Sequence, residues 1–205
     1  MDTPSPEIQD FALALEKALG VPDRFLLALP SESDWSFVVK THALAECSVM
    51  QAIDTSLGNA AVADVISSLA LNDARSGKLG FLRALDQGEK AFVRFVDQLS
   101  RLRNMLTHNL RHASFDLQKH VAGLGEAHFR EFVDAFASTA EFPRSVRSSV
   151  RTRQEQLIRS NSKECMFRLA CYWLARMHLG VQHALFKNIE ASIERIEHGR
   201  SAAGS

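Results

Sequence analysis

Apolar and polar positions alternate with one period along almost the whole chain. Between residues 89 and 112 (EKAFVRFVDQLSRLRNMLTHNLRH) apolar side chains recur every third or fourth position. At roughly 3.6 residues per turn, Phe92, Phe95, Val96, Leu99, Leu102, Leu106 and Leu110 fall on one side of a helix, which is predicted to be buried. On the same wheel Arg103, Thr107, Ser100, Arg111, Asn104, Asp97 and His108 fill the next arc. Arg103 and His108 thus flank a polar strip roughly 140° wide.

The same period extends in both directions. A first short helix is predicted over 4–19, with Ile8, Phe11, Leu13, Leu15 and Leu19 apolar and Gly20 as a stop. A connector with two prolines covers 21–30. Ser31 or Ser33 then caps a long helix over 34–57, closed by Gly58, whose buried stripe is predicted to be Trp35, Val38, Val39, Leu44, Val49 and Ile53. An Ala/Val/Ile/Leu-rich helix follows over 59–71. Gly77-Lys78-Leu79-Gly80 reads as a turn into a short helix over 81–85, because the nucleotide-clamping loop it echoes needs neighbouring strands and no strand pattern occurs. Two modest amphipathic pieces cover 115–121 and 126–138, the second with Phe129, Phe132, Val133 and Phe136 on one face. A final long helix spans 162–197, with apolar positions from Met166 to Ile196; Arg168, Arg176, His178 and His183 interrupt it, so it is not a membrane span. The tail 199–205 is small and polar, and no fixed structure is expected for it. The pattern predicts an all-α, antiparallel bundle-like single domain over 1–205 with a long C-terminal helix.

Composition narrows the function classes. The chain has 205 residues, 46% of them hydrophobic, enough for a sizeable core. With 24 basic and 24 acidic residues the formal net charge is zero, so any nucleic-acid grip has to come from local patches. The abrupt one is 143–163, where six basic residues face only Glu155 and where Arg144, Arg147 and Arg151 share a helical stripe. Such clustered guanidinium groups suit phosphate contact, and equally a solvated helix or linker. Cys47, Cys165 and Cys171 sit in apolar helical patterns without CxxC spacing, which predicts buried free thiols. The opening MDTPSPEIQD has no cationic start followed by an apolar core, so a cytoplasmic protein is expected.

Candidate chemistry is sparse. His108 and His112 are one turn apart but lack an acidic companion, and no GxSxG elbow, P-loop or HExxH occurs, so no metal and no cofactor are expected. His42 and Glu46 are also one turn apart; a surface ion pair or a histidine at the core edge outweighs a ligand pair there. The Arg103/His108 spacing alone carries nothing, because Arg101/His108 and Arg176/His183 fit the same range. Its context is distinctive: Asn104 follows the arginine directly, a leucine-rich helix precedes the pair, Ser76-Gly-Lys-Leu-Gly-Phe-Leu-Arg-Ala-Leu85 lies upstream, and His108-Asn109 leads into the Phe115-Asp116 turn.

On these residues the block from about 31 to 122 resembles the HEPN superfamily of small all-helical proteins, whose signature is Arg, a polar residue, and His about a turn later. The resemblance implies a metal-independent endoribonuclease, often a toxin or defence effector, built as a homodimer in which the Arg and His of two protomers meet. It implies Arg103, Asn104 and His108 as the catalytic set. Thr107 and Glu46 are supporting candidates, Glu46 by orienting His108. Arg111, Arg144, Arg147 and Arg151 are candidates for holding RNA, and an antitoxin is a candidate partner. The mannitol-repressor-like proteins share the helical scaffold and the Leu-Gly turn, and they imply the alternative: a non-catalytic regulator or protein-interaction module.

Overall fold

The computed structural model describes residues 6–73, 76–85, 88–108, 114–136 and 147–203, with backbone alone for 60, 147 and 196–203. The described residues contain no strand. In chain order the helices are α1 (Pro6–Leu19), α2 (Phe25–Ala28, continued by a 3-10 turn at Leu29–Ser31), α3 (Asp34–Leu57), α4 (Ala60–Ser67), α5 (Lys78–Ala84), α6 (Lys90–Thr107), α7 (Leu117–Ala122), α8 (Glu126–Phe136), α9 (Arg147–Ser160) and α10 (Ser162–Ala203). The protein is an all-α helical bundle with a long C-terminal helix. Among the described residues no helix is long and apolar enough to cross a membrane.

Local chemistry accounts for the boundaries. Ser33 caps α3 by accepting the Ser36 N–H, and Gly58 closes it at φ 58°, a left-handed conformation that costs glycine little. Asn59 and Asp116 cap α4 and α7 in the same way as Ser33. The connector after α1 is tied down by Glu16, a buried carboxylate that accepts the backbone N–H groups of Arg24, Leu26 and Leu27 at 2.8, 2.7 and 3.1 Å. A buried charge is tolerable when several donors surround it.

The helices enclose one cluster of buried side chains running from Ala12 to Val181. α3 is its axis. α6 lies against one side of α3 and runs antiparallel to it: His42 faces Ser100, and Trp35 faces the last turn of α6. α10 takes another side in the same direction as α3, with Lys163 beside Asp34 at 2.9 Å and the Asn188 side chain donating to the Thr55 carbonyl at 2.9 Å. α8 covers α6 through Phe95 and Phe136, 5.7 Å apart and edge to face. Burying one such side chain is worth about 1.5–3 kcal/mol, more than the helix-propensity difference between any two ordinary residues other than proline.

Several expectations shift. Trp35 is 36% exposed, and Phe37, Ala45 and Ala52 take the buried places on α3 instead. Cys171 is buried but Cys47 is exposed, so only part of the thiol set is enclosed. Lys78, read as part of a turn, opens α5 and is buried. Helix α10 runs through Gly199 to Ala203, beyond the point where small polar composition predicts its end.

Candidate functional site

The buried face of α6 fixes the rotation of the helix. Phe92, Phe95, Val96, Leu99, Leu102 and Leu106 are all buried, which leaves Arg103 and Asn104 half-buried at the edge and Thr107 and His108 exposed. The helix stops at Thr107. His108 is the residue after it, with its N–H still donating to the Asn104 carbonyl at 3.2 Å. Trp35 crosses this end and its indole Nε1 donates to the Leu106 carbonyl at 3.4 Å, meeting one of the carbonyls that a helix end leaves without a partner.

The motif side chains differ in what holds them. Arg103 Nη1 donates to Asn104 Oδ1 at 2.9 Å, so the amide after the arginine restrains the guanidinium. Thr107 Oγ1 donates back to the Arg103 carbonyl at 3.0 Å, which commits its hydroxyl proton to the helix rather than to a ligand. Arg103, Asn104, Thr107 and His108 thus share the final turn of α6, at the surface.

Beneath that turn lies a second polar layer. The helical wheel puts Ser100 on the polar arc, yet it is 2% exposed and its Oγ lies 3.1 Å from His42 Nε2. His42 is itself buried, and burial holds its pKa below the ordinary histidine value; the positive charges of Arg103 and Lys78 act in the same direction and Glu46 opposes them. Glu46 meets Lys78 Nζ at 2.5 Å, so the described structure ties it to α5. Helical periodicity puts Ser100 on the polar arc and His42 at the core edge but misses their contact, and it reads Lys78 as part of a turn. The available signals were Ser100 at the margin of the apolar arc and Lys78 between Gly77 and Leu79, where a short helix has to begin against the core.

The basic segment is less open than its composition. Arg151 donates to Asp134 at 2.6 Å and to Glu155 at 3.1 Å, Arg159 stacks over Phe129 at 3.6 Å, and Lys163 bridges Asp34 and the Glu32 carbonyl. Arg111 and Arg144 lie outside the described residues, as does the side chain of Arg147. A cavity of about 590 Å³ lies at the opposite end of α6, between Glu89, Phe92, Trp173, Arg176 and His183. Comparison of the chain with protein-family models, with curated proteins and with solved structures returns no match.

Proposed function

We propose that this chain is a HEPN-type endoribonuclease that cleaves RNA without a metal, by attack of a ribose 2′-hydroxyl on the adjacent phosphodiester. One observation carries the reading: Arg103, held by Asn104 at 2.9 Å, shares the surface turn of α6 with an exposed His108. Arg103 would hold the non-bridging phosphate oxygens and meet the charge that builds up on them in the transition state. His108 would accept the 2′-hydroxyl proton as the new O–P bond forms, or return a proton to the departing 5′-oxygen. The products would be a 2′,3′-cyclic phosphate and a 5′-hydroxyl.

One histidine serves one of these two proton transfers. We therefore infer a symmetric homodimer in which the last turn of α6 faces its own copy, so that a second His108 supplies the other. Leu179, Phe186, Ile189 and Ile193 leave α10 with apolar surface beyond what the bundle covers, at the Thr55 end of α3 and away from the last turn of α6, so it would be a second contact beside that one. The same surface favours the second reading, a non-catalytic interaction module of the mannitol-repressor kind that binds a protein partner. Induced expression separates the two. The nuclease arrests growth and His108→Ala at equal protein level relieves the arrest, whereas harmless expression of the wild type favours the module.

A further inference from the structure

Charged groups are costly to bury, and the interface of α3, α5 and α6 buries a lysine and a histidine beside a half-buried carboxylate, below the proposed site. Lys78 is 5% exposed and its ammonium is held by Glu46 at 2.5 Å. Glu46 lies one turn from His42 on α3, His42 bonds Ser100 on α6 at 3.1 Å, and Ser100 lies one turn before Arg103. Glu46, His42 and Arg103 therefore occupy successive positions of one polar seam, which Lys78 enters from α5. With His42 neutral, Glu46 contributes one negative charge and Lys78 and Arg103 one positive charge each, a sum of plus one. Among the described residues the only polar partner of the Arg103 guanidinium is the neutral amide of Asn104.

We propose that Lys78 is a positioning residue for this site: by holding the Glu46 carboxylate on the α5 side of the seam, it keeps Arg103 unneutralised and ready for a phosphate. The proposal rests on the reading of Arg103 as a phosphate ligand. A direct role for Lys78 in gripping RNA does not fit its burial, since its side chain is only 7% exposed. An unpaired Glu46 carboxylate would have two other groups in the seam to attract it. One is Arg103, and the other is His42, whose protonated form it already favours. Pairing with Arg103 cancels the surplus positive charge on which anion binding depends, and pairing with His42 raises the pKa of its imidazole, a second sign of the same displaced carboxylate.

A double-mutant cycle tests this, read with two probes. The first is anisotropy of a short 2′-O-methyl RNA, which lacks the attacking hydroxyl and so reports binding alone. Lys78→Met should weaken binding about tenfold, as a carboxylate brought within several ångströms of Arg103 would. Glu46→Gln should bind at least as tightly as wild type, and the double variant Lys78→Met/Glu46→Gln should return to within about twofold of it. The second probe is NMR titration of His42 without RNA: Lys78→Met should raise its pKa, and the double variant should undo the rise. The double variant also guards against misfolding, because it removes the half-buried unpaired carboxylate that Lys78→Met leaves at Glu46. A double variant that binds as weakly as Lys78→Met makes Lys78 itself the ligand and overturns the proposal, as does a His42 titration that Lys78→Met leaves unmoved. A wild type that binds no RNA but shows the His42 shifts sinks the ribonuclease reading alone.

Discussion

At the scale of single residues, His42 links the fold to pH. Its folded pKa lies below the ordinary value because burial and two nearby cations disfavour the imidazolium. Between that depressed value and about 6.5 the unfolded chain takes up a proton that the folded chain refuses, so stability falls as the pH drops through this window. Melting temperature should therefore decline below pH 6.5, and His42→Gln, which cannot titrate, should flatten that decline; an unchanged acid limb would place His42 elsewhere. The cysteines give a second residue-scale prediction. Burial pushes the Cys171 thiol up to about 12, while Cys47 is exposed. Iodoacetamide at pH 8 should label Cys47 in the native protein and spare Cys171, as mass spectrometry would show, because thiolate is the reactive form. Sequence pattern placed Arg103, Asn104 and His108 together, since one helical turn is a local relation. It had no access to Ser100 meeting His42, a bond across 58 positions of chain that only the packing of two helices creates.

At the scale of elements, periodicity found the long helices α3, α6 and α10 and the ends that local caps fix, as Ser33 and Gly58 fix those of α3, but it read the short α2 as connector and left α9 open between helix and linker. What it misjudged was which stripe of a helix with neighbours on several sides goes inward. α3 buries Phe37 and leaves Trp35 half out, because α6 ends beside Trp35 and offers a carbonyl for its indole. The basic segment is less open than its composition for a related reason. Composition shows six positive charges, but Asp134, Phe129 and Asp34, which engage three of them, come from other helices. α10 is the element with surface to spare: at about 1.5 Å per residue its 42 residues run roughly 63 Å. Leu179, Phe186 and Ile193 recur every seven residues on it and are all more than half exposed. The pair Phe186→Glu and Ile189→Glu should change the stability of the folded chain by no more than about 0.5 kcal/mol each, the scale of surface sites. If α10 carries the homodimer contact, the same pair should convert the species seen in sedimentation to monomer; a wild type already monomeric at micromolar concentration would remove the dimer from the account.

At the scale of the molecule, the bundle brings the end of α6 to the surface and sets a neutral histidine and a balanced ion pair beneath it, so that Arg103 is the surplus charge of that region. An arrangement of this kind, with a perturbed buried histidine and a buried lysine gathered under a half-buried arginine and an exposed histidine, is characteristic of functional sites as well as of structural ion-pair networks. The bundle itself was legible from a single repeated period, whereas the charge balance depended on α5 docking Lys78 against α3, which no spacing encodes. The most direct measurement is incubation of the purified protein with single-stranded RNA in excess EDTA, with the chemistry of the product ends mapped. The account predicts cleavage that survives chelation, leaves 2′,3′-cyclic phosphate and 5′-hydroxyl ends, and disappears in Arg103→Ala and His108→Ala while either variant costs at most about 1 kcal/mol of stability. Intact RNA, or cleavage that persists in both variants, would contradict it.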